Sequence, residues 1–308
     1  MDRGDIAKIV KRWFGAGAAL LAAWAAGTAA AQPDSAARAR FDRIPAGTML
    51  QMTDATRAVG SPGLVWPGKI VTIAFNGGDP AVYPLIESAA SEWTANGSRI
   101  KLSFRKADGS FRTWRENVVT PQADIRIGFF TDPRRDGYWS VVGKLARRIN
   151  PNEATMNFAE LGMALSPYYN GARRDEWFRS YSHSTILHEF GHALGLSHEH
   201  FHPKCQADLD IEAAVTSMRD EPNNWSEDQA RYNVDARTYF ASLASQPGTG
   251  SVTFSPTSDR ASVMLYYFPD AMFRSSTTSP CRSSEPDGYA TALSTQDRLF
   301  FRNNYRVQ

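Results

Sequence analysis

Cysteine is scarce in this chain of 308 residues: Cys205 and Cys281 are the only two. Neither lies near the N-terminus, which excludes a lipoprotein anchor there. Long basic runs are missing as well. The formal charge is +2, from 34 basic and 32 acidic residues. Arg3, Lys8, Lys11 and Arg12 against Asp2 and Asp5 in the first 31 positions account for that excess, so the remainder is balanced. Nothing in it argues for nucleic acid or an anionic membrane surface as a partner. No internal repeat or low-complexity array interrupts the chain. What is present, 42% apolar, 12% aromatic and 21% charged residues, matches a soluble globular protein. Such a chain can bury a sizeable core as one large domain or two small ones.

The first 31 residues read as a signal peptide. Basic residues up to Arg12 precede an uncharged stretch from Trp13 to Ala31, which ends in Ala29-Ala30-Ala31 before Gln32. That small-x-small ending suits a signal peptidase. The alternative is an uncleaved anchor, because the uncharged stretch is just long enough to span a bilayer. The expected destination is extracellular or periplasmic, with no membrane contact after cleavage. In an exported chain two cysteines suggest a disulfide, Cys205 to Cys281. The rival reading makes one thiol a metal ligand or nucleophile.

Residues 32–65 carry no sustained periodicity and read as a linker, short pro-segment or loosely docked arm. Order is expected from residue 66. Ile70 to Phe75 alternates and is β-branched, as a strand does. Leu85, Ala89 and Trp93 then recur at helical spacing, and Ile100–Phe104 and Ala123–Phe129 alternate again. Ala154–Phe158 reads as a short edge strand, Ser182–Gly195 as a strong helix, and Ser294–Tyr305 as a closing amphipathic stretch. This order predicts an α+β domain over 66–308, a mixed sheet with packed helices and an irregular helical second lobe, the two meeting near residue 200.

All six histidines fall between His183 and His202. Among them stands His188-Glu189-Phe190-Gly191-His192-Ala193-Leu194-Gly195-Leu196-Ser197-His198. On a helix, His188 and His192 project from one face about 6 Å apart along the axis. Both imidazoles can then reach one ion at about 2.0–2.1 Å. Glu189, one residue on, is angled away from ligation and can hold a water beside the ion. Gly195 lets the chain leave the helix in a conformation that a Cβ resists, and His198 can turn back as a third ligand. Three protein ligands leave a fourth position open, which separates a catalytic zinc site from a closed structural one.

His-Glu-x-x-His-x-x-Gly-x-x-His resembles the metzincin zinc metalloproteases. Their second mark, a methionine turn beneath the metal, is matched by Ser262-Val263-Met264-Leu265-Tyr266. Tyr266, two places after Met264, matches the tyrosine that astacin-like and serralysin-like members place near zinc. Glu199 and the His198-Glu199-His200 triplet look astacin-like in particular, of the bacterial-type secreted kind. Asp124–Ile127, Tyr138–Ser140, Thr155–Asn157 and Leu293–Asp297 extend the resemblance over roughly 66 to 308. It implies a zincin fold with its active-site cleft between two lobes, and one catalytic Zn2+ on His188, His192 and His198. The implied activity is endopeptidase cleavage of protein or peptide substrates. In it Glu189 activates a zinc-bound water, Tyr266 stabilises the oxyanion, Met264 packs under the site, and Thr155, Met156 and Asn157 bind substrate as an added strand. Residues 32–65 hold no cysteine and no clear counterpart of the aspartate motif that silences astacin-like zymogens, and Asp54 is the nearest candidate.

His183, five residues before His188, points elsewhere on the helix and is expected to be structural or exposed. His200 and His202 are not expected as ligands, and Trp93 and Trp139 are expected in the core. Two other classes share these features: a zinc-containing binding module, against which an intact Glu189 argues, and a zinc hydrolase acting on cell-wall amides.

Overall fold

The computed structural model describes residues 62–95, 98–132, 134–159, 161, 174–220, 224–244, 253–286 and 288–305. The chain divides into two compact units, Met1–Ala37 and Arg38–Gln308, and all described residues lie in the second. The leader, the linker up to 61 and Asp54 fall outside the described residues. Leu64 is already buried in the main apolar cluster.

Strand β1 (Ile70–Asn76) buries Val71, Ile73, Ala74 and Phe75. Helix α1 (Tyr83–Ser91) crosses to β2 (Lys101–Ser103), parallel to β1, and β3 (Ile125–Gly128) pairs parallel on the other side of β1. Strands β4 (Tyr138–Ser140) and β5 (Met156–Phe158) complete a mixed sheet in the order β2-β1-β3-β5-β4, with only β4 antiparallel. Phe75 stacks on Tyr83 at 3.9 Å between ring centres, which fastens the strand to the start of its crossover helix.

One expectation fails here. Thr155–Phe158 is not an edge: β5 is flanked by β3 and β4, and β4 takes the outer position. Asn157 supplies the reason. Its Oδ1 accepts the Phe130 N–H at 2.8 Å, and its Nδ2 lies within reach of the carbonyls of Phe130, Arg135 and Gly137 at 3.0, 2.8 and 2.7 Å. The loop between β3 and β4 is thereby folded against β5. Gly137, at φ +100°, makes the turn that lays Tyr138–Ser140 alongside.

Helices α2 (Arg174–Phe178) and α3 (Tyr181–Ala193) follow, the second buried along most of its length. Beyond it lie α4 (Pro203–Asp208), α5 (Ile211–Arg219), α6 (Glu227–Val234), α7 (Ala236–Ala244) and, last, α8 (Thr295–Asn304). A second apolar cluster gathers Leu209, Val215, Trp225, Tyr266, Phe268 and Phe273 around Cys205 and Cys281. Those two cysteines form a disulfide with Cα atoms 5.3 Å apart, so the thiol-ligand alternative falls away. Among the described residues no helix is long and apolar enough to cross a membrane.

Candidate metal centre and active site

Helix α3 opens on Ser180, whose hydroxyl accepts the His183 N–H at 3.2 Å and so satisfies one of the first-turn donors. Two turns later His188 and His192 stand one above the other, their rings 4.8 Å apart and nearly perpendicular. Position 191, between them, has no room for a side chain. A Cβ there would sit 2.3 Å from the sulfur of Met264 and 3.1 Å from the Trp93 ring. The methionine therefore packs directly against the helix at Gly191, between the two imidazoles.

The helix ends by a Schellman turn. Gly195, at φ +100°, donates to the His192 carbonyl at 2.8 Å, and Leu196 donates to that of Gly191 at 3.0 Å. The turn sends the chain back, and His198 returns to the ligand cluster with its Nε2 3.1 Å from that of His192. Ring nitrogens of His188, His192 and His198 all lie within 4.8 Å of one another.

The outer nitrogens of His188 and His192 are committed. Nδ1 of His188 faces the Val263 carbonyl at 2.5 Å, and Nδ1 of His192 faces that of Leu196 at 2.9 Å. A ring that donates through Nδ1 presents a bare lone pair at Nε2. The His192 Nε2 is turned toward that of His198, 3.1 Å away, and so faces the ligand cluster. Three imidazoles in a buried cluster fit Zn2+, a borderline-soft ion with a tetrahedral preference.

Glu189 is fully buried beside this cluster. Tyr266 packs against His198 with ring centres 4.1 Å apart and planes tilted by 43°, and its ring lies 6.2 Å from that of His188. The expected neighbours take other partners. His183 is buried rather than exposed, and its Nε2 meets Glu92 at 2.7 Å. His200 and His202 direct Nε2 to the carbonyls of Asn233 and Ser255 at 2.8 and 3.0 Å. None of the three joins the ligand cluster. Trp93 and Trp139 are in the core. Thr155, Met156 and Asn157 are buried, and Asn157 is spent on the loop before β4.

Sequence reasoning missed Asp297. Its Oδ1 accepts from the Ser262 hydroxyl at 2.7 Å and its Oδ2 from the Val263 N–H at 3.1 Å. One carboxylate from α8 thus holds the N–H of Val263, the residue whose carbonyl orients His188. The sequence signal, Ser294-x-x-Asp297, marked only a helix start, and it is indeed a capping box. Burial pushes the Asp297 carboxyl above its ordinary range, against those hydrogen bonds. Glu199 is tied to the same turn, its N–H donating to the Met264 carbonyl at 2.9 Å. Burial pushes its carboxyl up to about 8, opposed by the Asp259 N–H and reinforced by the charges of Asp259 and Asp297. Beside it lies a cavity of about 380 Å³ rimmed by Phe254, Leu299 and Phe300.

No family model matches the sequence, and no curated protein matches it. Solved structures do. The chain is similar to a structure of myroilysin at 26% identity and a TM-score of 0.55, over 81% of this chain and 98% of that one. A second myroilysin crystal structure gives 25% identity and 0.48, over 86% and 95%. High choriolytic enzyme 1, a hatching enzyme zinc-protease from the medaka Oryzias latipes, gives 16% and 0.41, over 83% and 96%.

Proposed function

We infer that this chain is an astacin-like metzincin and a zinc metalloendopeptidase, from its site and its similarity in fold and sequence to a structure of myroilysin. The observation that carries the inference is the convergence of His188, His192 and His198 on one point, with the carboxyl of Glu189 buried on the same helix. Bound there, zinc would supply Lewis acidity, polarising a carbonyl and acidifying water.

The chain's own groups do the rest. Glu189 accepts the proton of the water that attacks the scissile carbonyl carbon, and then returns it to the leaving amine nitrogen. Tyr266 donates its hydroxyl proton in a hydrogen bond to the oxygen that gains charge as the carbonyl becomes tetrahedral. His188 and His192 are held in one tautomer by the carbonyls of Val263 and Leu196, so their Nε2 atoms stay available. Substrate would add as a further strand on the outer edge of β4, which pairs with no strand on that side among the described residues. That edge replaces Thr155–Asn157 as the substrate strand. A disulfide and a signal-like leader favour secretion to an oxidising compartment.

The test is hydrolysis of a casein substrate by the purified protein with and without a zinc chelator, alongside Glu189→Ala. Chelation should abolish cleavage and added zinc restore it. The variant should retain zinc and lose about 10²- to 10⁴-fold in kcat. Undiminished cleavage by Glu189→Ala would remove Glu189 as the base. Release of cell-wall fragments without casein cleavage would transfer the site to an amidase.

A further inference from the structure

The last carbonyls of a helix need partners, and at the end of α3 two of them are out of reach of both water and the helix itself. The carbonyls of Phe190, Gly191 and His192 are met by the N–H groups of Leu194, Leu196 and Gly195. Those of Ala193 and Leu194, both buried, are not met in that way. The Ala193 carbonyl accepts from the indole Nε1 of Trp66 at 2.7 Å. The Leu194 carbonyl accepts from the hydroxyl of Tyr305 at 2.9 Å. The same hydroxyl accepts the backbone N–H of Trp66 at 3.1 Å, closing the arrangement.

Two side chains from opposite ends of the domain thus hold the turn that separates His192 from His198. The Trp66 segment is itself fixed. The Leu64 carbonyl occupies the space where a Cβ on Gly143 would stand, 2.0 Å away. The guanidinium of Arg99 reaches the Trp66 and Pro67 carbonyls at 3.3 and 3.4 Å. Burial keeps the Tyr305 hydroxyl protonated, so it remains a donor.

This turn matters to the metal because Leu196, three residues past Ala193, supplies the carbonyl that orients His192. A displacement of residues 193–196 would rotate the His192 ring and redirect the path to His198 together. We propose that Trp66 and Tyr305 are positioning residues for the metal centre, clamping the turn between its second and third ligands. The proposal rests on the reading of His188, His192 and His198 as zinc ligands.

The experiment measures zinc affinity of the full chain by competition with a chromogenic chelator, and thermal unfolding of the metal-free and zinc-loaded forms. Tyr305→Phe removes one oxygen and keeps the ring; Trp66→Phe removes the indole donor. Each should weaken zinc binding about tenfold, the lower end of what outer partners of metal ligands contribute. Each should also lower the unfolding temperature of the loaded form more than that of the metal-free form. Ile73→Val, a small cavity in the sheet core away from the turn, should lower both temperatures alike and leave zinc affinity unchanged. If Trp66→Phe does not fold, Tyr305→Phe decides alone. Parent-like zinc affinity in Tyr305→Phe would overturn the proposal and leave the metal site standing. A parent protein that binds no zinc would overturn both.

Discussion

Tyr266 is the residue whose role turns on a single atom. Its ring belongs to the second apolar cluster and packs at a tilt against His198, so the aromatic body has a packing reason to be there. Only the hydroxyl distinguishes a catalytic tyrosine from a core phenylalanine. Tyr266→Phe should therefore keep the fold and the zinc content while lowering kcat by about a hundredfold, as loss of one oxyanion donor does. Metal analysis and steady-state kinetics check both halves; a fully active variant would return Tyr266 to the core. Gly191 shows the opposite case, a residue defined by what it lacks. The Met264 sulfur fills the place of its Cβ, so a motif position free in pattern is constrained in space.

At the scale of the element, the active-site helix is set by how it stops. A side chain on Gly195 would meet only ordinary contacts, the nearest at 3.6 Å from Val65. The cost of Gly195→Ala is then a backbone cost, from forcing φ +100° on a residue with a Cβ. It should destabilise by about 1–2 kcal/mol in urea unfolding. Zinc affinity should fall as well, because the turn carries the carbonyl that orients His192 and leads to His198. A variant as stable as the parent would show that the turn can be made another way. Helix α8 acts on the site from outside, through Asp297 and the 262–263 peptide.

At the scale of the whole molecule, the disulfide ties α4, just past the ligands, to a segment 76 residues later. Between them runs the methionine turn, so the closed loop contains both Met264 and Tyr266. Replacing both cysteines by alanine should cost about 2–5 kcal/mol, mostly by freeing the unfolded chain. Differential unfolding with and without reductant checks this: reductant should shift the parent toward the variant and leave the variant unmoved. An unchanged parent midpoint after confirmed reduction would mean that the second cluster holds this lobe unaided.

The convergence of His188, His192 and His198 and the turn at Gly195 were legible in sequence because helix geometry is local. Spacing of four residues fixes which imidazoles share a face, and glycine after a helix announces a reversed turn. The α+β class was legible for the same reason, since strand and helix periods are properties of short windows. Which strand forms the sheet edge was not, because Asn157 grips a loop 20 to 27 residues earlier in the chain. Nor were Asp297, Trp66 and Tyr305, whose partners lie 34 to 239 residues distant along the chain. Sequence determined the metal chemistry; tertiary structure decided what holds it in register. Ligand spacing is written in one helix, whereas the carbonyls that orient those ligands are fixed only when distant segments pack around it.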